Sequence, residues 1–309
     1  VVYRGWGRDL RREIAIRTVG AGYFDQVGPV SGVARRFRWE SILAASLQHP
    51  NVLPVYGMTV ARDGRPMLAM PLLHGVTMRE AIRNRRERRL DRTEIEIVLR
   101  ICDAVQFAHS LGIVHRDLKP ANIFLPTATS EMPKSAAVYV LDWGIAKRLG
   151  SNDAAIAEEF GGDMTMTRTG QQVGSPSHMS PEQARGDHAA IDVRTDVFGI
   201  GATLYHLLSG YPPYHGASVT ALIARARDAD SVQPPGPFRP GVSHELLAIC
   251  KMAMRADPEE RYQSVDALRD DLLAVVSHRR GVAWADGPAR RLAKSARRHP
   301  LLSVLVTAA

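Results

Sequence analysis

Apolar and polar positions alternate in the first part of the chain, in short runs typical of strands. In residues 13–19, Ile14 and Ile16 share one face of a strand, whereas Ala15 and Arg17 share the other. The alternation predicts a strand with two differently used faces.

This strand has candidate partners on both sides in sequence. Residues 1–4 are predicted to pair with it as a hairpin whose turn is Gly5–Asp9. Residues 34–48 show the spacing of a helix, and residues 53–58 and 67–72 show that of further strands. The first part is therefore predicted to be a small antiparallel sheet with one helix.

After residue 74 the pattern becomes mostly helical. Thr93 and Glu96 form a capping-box pattern at the start of a helix that Gly112 should end. Residues 138–141 have the apolar character of a short buried strand, and further helical faces follow. The change from sheet to helices predicts a boundary near residue 74.

Composition and charge add limits to this picture. The 309 residues are 45% hydrophobic and 23% charged, which is typical of globular proteins and allows one large two-part domain. The net charge is +8, with much of the excess in residues 279–298 and in a second basic run, residues 83–89. We interpret the second run as a solvated connection rather than a nucleic-acid site. Cys102 and Cys250 lie in apolar helical patterns and are expected to be buried thiols in a reducing compartment.

Two loop sequences carry the candidate chemistry. His-Arg-Asp-Leu-Lys-Pro-Ala-Asn at 115–122 follows a predicted helix, and Asp142 directly follows the predicted strand 138–141. Phosphoryl transfer needs a carboxylate to orient the attacking hydroxyl, hard oxygen ligands for Mg²⁺ and a cation near the moving phosphoryl group. Asp117 fits the first need, Asn122 and Asp142 the second, and Lys119 the third.

These motifs resemble those of the protein kinase family, in its bacterial serine/threonine branch. Residues 115–122 look like the family's catalytic loop, and Asp142-Trp143-Gly144 looks like its magnesium-binding triplet, with Trp where Phe is commoner. Ser180-Pro181-Glu182 is similar to the motif that ends the activation segment. The resemblance runs from Val1 to about residue 276.

The resemblance implies further roles. Glu40 matches the helix glutamate of the small lobe, and Asp196 matches the buried aspartate that steadies the catalytic loop. Arg261 matches the arginine that pairs with the motif glutamate, here Glu182. Arg17 stands where the family has a lysine, and it keeps the charge on a wider, planar group.

The adenine site follows from the same resemblance. Val2 corresponds to the valine that covers the ring, Ala15 leaves room for the ring, Met70 is the gatekeeper, and Leu73 lies in the hinge. The family's glycine-rich loop should come just before Val1, so we expect the sequence to be a fragment.

The expected fold is α+β and bilobal, with a small antiparallel-sheet N-lobe at residues 1–73 and a mostly helical C-lobe at residues 74–278. The expected function is transfer of the ATP γ-phosphate to protein serine or threonine hydroxyls in bacterial signalling, with Mg²⁺. One alternative is a pseudokinase or scaffold, crippled by Arg17. A small-molecule phosphotransferase is the other, and Lys119 and Arg261 favour a protein substrate over it.

The activation segment is expected to carry a switch. One of Thr165, Thr167 and Thr169 is predicted to be autophosphorylated, with Arg116 as partner of the added phosphate. The alternative is an ordinary flexible loop.

The carboxyl end suggests a membrane anchor. Residues 279–299 form a basic juxtamembrane linker, and residues 300–309 are apolar, as at the start of a transmembrane helix. A short terminal helix is the alternative. With a membrane anchor, the kinase domain would be cytoplasmic and tethered to the inner face of the plasma membrane. Its expected partners are ATP and a protein substrate, and no nucleic acid is expected.

Overall fold

The computed structural model describes most of the chain. The described residues are 1–8, 11–20, 32–127, 138–143, 147–148, 175–187, 189–228, 238–277, 279 and 281–283.

The amino-terminal part is a four-stranded antiparallel sheet in the order β1-β2-β4-β3, with one helix packed against it. Its elements are β1 (Val2–Gly7), β2 (Arg12–Thr18), α1 (Gly32–Ser46), β3 (Gly57–Val60) and β4 (Pro66–Pro71). The predicted hairpin is confirmed, with Tyr3 opposite Ile16. A small core lies between sheet and helix, formed by Ala15, Val19, Ala34, Phe37, Leu68 and Met70.

Two strand boundaries differ from the predictions. The residues predicted as a turn are partly strand, because Gly5 and Gly7 continue β1 opposite Ile14 and Arg12. The strand predicted at 53–58 begins only at Gly57. Leu53 and Val55 still pack against the small core, which explains their apolar pattern, while Pro54 between them has no N–H for a ladder.

The remaining part is mostly helical. Its helices are α2 (Met78–Arg85), α3 (Arg92–Ser110), α4 (Pro181–Arg185), α5 (Val193–Ser209), α6 (Val219–Arg227), α7 (His244–Ala253) and α8 (Val265–Val276). Short strands form two small sheets beside them: β5 (Gly75–Thr77), β7 (Ile123–Pro126) and β8 (Tyr139–Val140) in one, and β6 (Ile113–Val114) with β9 (Lys147–Arg148) in the other. Single 3₁₀ turns occur at Pro120–Asn122, Pro176–His178 and Pro258–Glu260.

Side-chain caps fix where these helices begin. The capping box of α3 is formed by Asp91 and Glu94, not by Thr93 and Glu96 as predicted. The amide of Glu94 donates to the Asp91 carboxylate at 3.0 Å, and the Glu94 carboxylate accepts from the amide of Asp91 at 3.1 Å. Ser264 caps α8, because the amide of Ala267 donates to its hydroxyl.

The large core surrounds α5, whose side chains from Thr195 to Ser209 are all buried. Helices α3, α7 and α8 all contact it. Cys102 and Cys250 are buried free thiols here, as predicted, and burial raises the pKa of both. The α5 helix therefore forms a rigid axis beneath the loops that follow β6 and β8.

No helix within the described residues is long and apolar enough to cross a bilayer. The predicted linker lies almost wholly outside the described residues, and the predicted start of a transmembrane helix lies entirely outside them.

Candidate active site

A buried carboxylate on α5 holds the loop that follows β6. Asp196 is fully buried, and it accepts hydrogen bonds from the amides of His115 at 2.7 Å and Arg116 at 2.8 Å. The ring Nε2 of His109 lies 2.8 Å from the same carboxylate. Arg116 has a φ of 68°, a left-handed conformation that is costly for a residue with a side chain. The hydrogen bonds to Asp196 offset that cost.

Opposing influences act on the pKa of Asp196. Burial would raise it, whereas the hydrogen bond and charge of His109 and the hydrogen bonds from the loop lower it, and the net direction is downward. The carboxylate is therefore ionised, and it holds the loop through charge-assisted hydrogen bonds.

The ring of His115 connects this loop to the segment after β8. Its Nε2 lies 3.0 Å from the carbonyl oxygen of Leu141, and its Nδ1 accepts from the amide of Asp117 at 3.2 Å. These partners define the tautomer with the proton on Nε2. The ring also packs on the buried Trp143, with centroids 4.6 Å apart. A single buried side chain thus connects the two candidate loops.

Asp117 lies at the centre of a polar cluster. Its Oδ1 accepts from the amide of Ser175 at 3.0 Å, and its Oδ2 accepts from the ammonium of Lys119 and from Nδ2 of Asn122 at 3.2 Å. Lys119 also donates to the hydroxyl of Ser175. The carboxylate is oriented by contacts to both of its oxygens, with a cation beside it.

Asn122 and Asp142 come from adjacent pieces of backbone. The amide of Leu141 donates to the carbonyl of Asn122 at 2.8 Å, which brings Asp142 beside the loop. Nδ2 of Asn122 donates to the carbonyl of Asp117 at 2.9 Å as well as to its carboxylate, which leaves Oδ1 as the atom able to ligate a cation. Asp142 has a φ of 60°, another left-handed conformation at this site.

Arg17 reaches this cluster from the sheet. Its Nη2 lies 2.9 Å from Oδ1 of Asp142 and 3.6 Å from Oε2 of Glu40 on α1. The contact with Asp142 is therefore the shorter of the two. The guanidinium is therefore shared between a helix carboxylate and a loop carboxylate, and it connects the two parts of the molecule.

The donor set is of the kind that suits a hard divalent cation in the presence of phosphates. Among the described residues there is no group of three or more His, Cys, Asp or Glu side chains that could hold a metal by itself. One carboxylate, Asp142, and one amide oxygen, that of Asn122, lie beside the cluster. Mg²⁺ sites that use one or two protein oxygens and complete their shell with substrate phosphates and water have this composition.

The sheet face that carries Arg17 also carries Val2, Ala15 and Met70. Val2 lies opposite Arg17, and Ala15 lies opposite Met70, and cross-strand partners point to the same side. Ala15 and Met70 are buried, whereas Val2 is 60% exposed. Leu73 lies two residues after the end of β4, in a segment without regular structure. The sheet thus presents an apolar surface next to the guanidinium.

A second buried ion pair supports the site from below. Arg261 and Glu182 form two hydrogen bonds, at 2.9 and 2.8 Å, and the side chains are 0% and 4% exposed. Burial would raise the pKa of Glu182, but the hydrogen bonds and charge of Arg261 lower it overall. Next to Glu182, Gln183 donates to the carbonyl of Arg116 at 2.7 Å. The α4 helix is thereby tied to the same loop.

The predictions from sequence missed several supporting side chains. Ser175, the ring of His115, His109 and Gln183 all contact the loop, and none was assigned such a contact. For His109 the signal was available, since it lies on the last turn of α3, just before the loop. The contacts of Ser175 span more than fifty residues of sequence, so no local pattern could show them.

Comparison with known proteins decides the family. A family model described as the protein kinase domain matches residues 1–273. The chain belongs to the protein kinase family. The resemblance of the motifs and the expected bilobal α+β fold are both confirmed, with the sheet as the small lobe and the helical part as the large lobe.

Several relatives of the chain are named as bacterial serine/threonine-protein kinases. The chain is 34% identical over 278 residues to a probable serine/threonine-protein kinase of Streptomyces coelicolor, covering 89% of this chain and 38% of that protein. It is 34% identical over 273 residues to the serine/threonine-protein kinase PknB of Mycobacterium tuberculosis, covering 87% of this chain and 40% of that protein. A probable PknB of Bifidobacterium longum is 31% identical over 82% of this chain and 35% of its own length. The chain thus spans well under half the length of these relatives.

One candidate feature of the kinase lies outside the described residues. Thr165, Thr167 and Thr169 all fall in residues 149–174, outside the described part of the chain. Gly144, the third residue of the triplet, falls in another such stretch, residues 144–146. Their predicted roles stay predictions.

Proposed function

We propose that the protein is a serine/threonine protein kinase of bacterial signalling that transfers the γ-phosphate of ATP to protein hydroxyls. The observation that carries this proposal is the arrangement of Asp117. Both of its carboxylate oxygens are held, Lys119 lies beside it, and the backbone of Asn122 joins it to Asp142. The charge, the hydrogen-bond acceptors and the cation that phosphoryl transfer needs are together in one place.

Asp117 accepts the proton of the attacking hydroxyl in this proposal. The hydroxyl oxygen forms a bond to the γ-phosphorus while the bond from that phosphorus to the bridging oxygen of ADP breaks. Lys119, already in contact with Asp117, offsets negative charge on the transferring phosphoryl group. The products are a phosphorylated side chain and ADP.

Asn122 and Asp142 hold Mg²⁺ through their side-chain oxygens. The cation, when bound, neutralises charge on the phosphates of ATP. Because Nδ2 of Asn122 already donates to Asp117, its Oδ1 is the atom that would ligate the cation. The magnesium ligands and the base therefore orient each other.

The small lobe binds the nucleotide in this proposal. Val2, Ala15 and Met70 form the apolar surface for adenine, and Leu73 in the hinge offers its amide to the ring. Arg17 contacts the phosphates while Glu40 holds the guanidinium. The shared position of Arg17 between two carboxylates limits how far it can move.

The proposed division of the chain is an N-lobe at 1–73, a C-lobe at 74–278, a basic linker at 279–299 and the start of a membrane anchor at 300–309. The kinase domain would then be cytoplasmic and tethered to the membrane. Fractionation of cells that express the full-length gene product should find it in the membrane fraction. Recovery in the soluble fraction would contradict the anchor.

The proposed switch is autophosphorylation on Thr165, Thr167 or Thr169. Mass spectrometry of the active full-length protein should find phosphate on at least one of the three. An active protein that carries none there would contradict the switch.

The decisive test of the proposed function is replacement of the base. Asp117→Asn in the full-length protein should lower phosphate transfer from radiolabelled ATP to a generic protein by about 10³-fold, because the proton acceptor is lost. Asp270→Asn, at an exposed position on α8, is the matched control and should leave transfer unchanged. Equal transfer by both variants would exclude the proposed role of Asp117.

A further inference from the structure

A large basic cavity opens beside the candidate catalytic loop. Its volume is about 620 Å³, and Lys119, Asn122 and Ser175 lie on its wall. Three arginines of the α2 region also line it, namely Arg79, Arg83 and Arg86. No Asp or Glu lines this cavity within the described part of the chain. A space of this size next to the base can take several residues of a polypeptide.

The three arginines form a single stripe. They are spaced by four and three residues, so they lie on one face of the helix and its continuation. All three are exposed, and none makes an ion pair with a carboxylate within the described residues. Arg86 lies over the ring of Tyr211, with 4.2 Å from guanidinium carbon to ring centroid. Stacking fixes the direction of one guanidinium and leaves its charge uncompensated.

Other groups on the wall respond to this charge. His206 is buried beside the cavity, and its Nδ1 lies 3.0 Å from Nε2 of His178. Burial first, and then the charges of Arg86, His215 and Arg79, lower the pKa of His206 to about 4. Both Arg79 and Arg83 help to lower the pKa of Glu80, after its hydrogen bonds to Thr77. The stripe therefore creates a positive field around the cavity.

We propose that this cavity binds the acidic side chains of a protein substrate, through Arg79, Arg83 and Arg86, while the substrate hydroxyl faces Asp117. The inference rests on the proposed kinase function and names the class of substrate for the same site. A segment with clustered Asp and Glu near its Thr or Ser matches the stripe in charge, whereas a basic segment would be repelled.

The chain itself contains a segment of this chemistry. By sequence, residues 152–167 contain no Lys or Arg and end in two threonines, Thr165 and Thr167. The acidic residues of the segment are Asp153, Glu158, Glu159 and Asp163. A second copy of the chain therefore offers a substrate of the required charge.

Binding of peptides in the absence of ATP tests the inference. A fluorescent peptide of residues 152–167 should bind about tenfold more tightly, at low salt, than the same peptide with D153N, E158Q, E159Q and D163N. The difference should shrink as salt is added, because exposed charges are screened. Fluorescence anisotropy measures both affinities.

Two double variants of the protein locate the effect. Arg79→Gln with Arg83→Gln should abolish the preference for the acidic peptide. Arg85→Gln with Arg88→Gln removes the same charge from nearby exposed positions off the stripe and should preserve it. Arg86 is left unchanged in both, because its stem packs against Gly210 and its loss would disturb the surface.

The possible results separate failure of this inference from failure of the proposed kinase function. Equal affinity for the two peptides, or a preference that survives in the Arg79/Arg83 variant, would overturn the inference. Failure of the unaltered full-length protein to transfer phosphate to any protein would instead count against the proposed function. The binding measurement uses no nucleotide, so the two failures are distinguishable.

Discussion

The small and large lobes of this protein are stabilised in different ways. Among its described residues, the sheet lobe has a core cluster of six buried apolar side chains and leaves apolar side chains such as Val2 and Trp6 exposed on β1. The helical lobe has an extensive core around α5, whose side chains are buried on all sides from Thr195 onward. The strongly buried polar groups of the catalytic loop all lie in the helical lobe.

The two lobes also differ in their ion pairs. In the helical lobe, Arg261 with Glu182 and Arg239 with Glu94 are almost completely buried. In the sheet lobe, Arg4 and Glu13 form an exposed pair, 68% and 39% accessible. Buried pairs fix geometry because an unpaired buried charge is costly, whereas exposed pairs are readily replaced by water. The difference teaches that the loop carrying Asp117 is attached to the lobe with the buried ion pairs, whereas the pair on β1 and β2 is exposed to water.

The largest expected effect comes from breaking a buried pair. Arg261→Met should lower the free energy of unfolding by about 3–5 kcal/mol, because Glu182 is left buried without its cation. Arg4→Met, in the sheet lobe, should cause no measurable change. Urea denaturation of both variants checks this, and similar losses in the two would refute the contrast between the lobes.

Protonation of the buried His206 in the large lobe should have the next largest effect on the free energy of unfolding. The pKa of His206 is lowered to about 4, so the unfolded chain binds a proton at this residue near pH 6.5 while the folded protein does not. Stability should therefore fall as the pH drops from 6.5 to 4, by about 3 kcal/mol for this group, and stay level below that.

His206→Gln should remove this part of the pH dependence. Denaturation series between pH 4 and 7 measure the difference, and parallel curves for the unaltered protein and the His206 variant would show that burial has no such effect.

Substitution of Arg17, which connects the two lobes, should have a smaller effect than the two changes above. Arg17→Met removes the cation between Glu40 and Asp142, and we expect the KM for ATP to rise about tenfold. Arg17→Lys keeps a charge near the phosphates and should change it less. Steady-state kinetics with the full-length protein compares the two, and an unchanged KM in the Met variant would show that Arg17 does not reach the nucleotide.

A helix cap gives the smallest expected effect. Ser264→Ala removes the hydroxyl that accepts from the amide of Ala267 and should cost about 1 kcal/mol of stability. Ser264→Asp restores an acceptor and should recover most of it. Thermal denaturation is sufficient to compare them, and a full loss in the Asp variant would rule out capping as the reason.

Sequence predicted the family and the fold class correctly because their signals are local. The loop 115–122 and Asp142 were found from motif spacing, and the hairpin from alternation. The predictions that failed concern where elements begin, namely β3 and the capping box of α3. Leu53 and Val55 have strand-like alternation, yet they pack on the small core without a ladder because Pro54 interrupts it.

By itself the sequence determined which residues could perform phosphoryl transfer and which helices and strands would carry them, since periodicity, caps and motif order are properties of neighbouring residues. Tertiary structure alone decided that Ser175 orients Asp117 and that Arg17 lies closer to Asp142 than to Glu40. Those contacts join residues far apart in the chain, and only packing around the buried α5 helix brings them within hydrogen-bond distance.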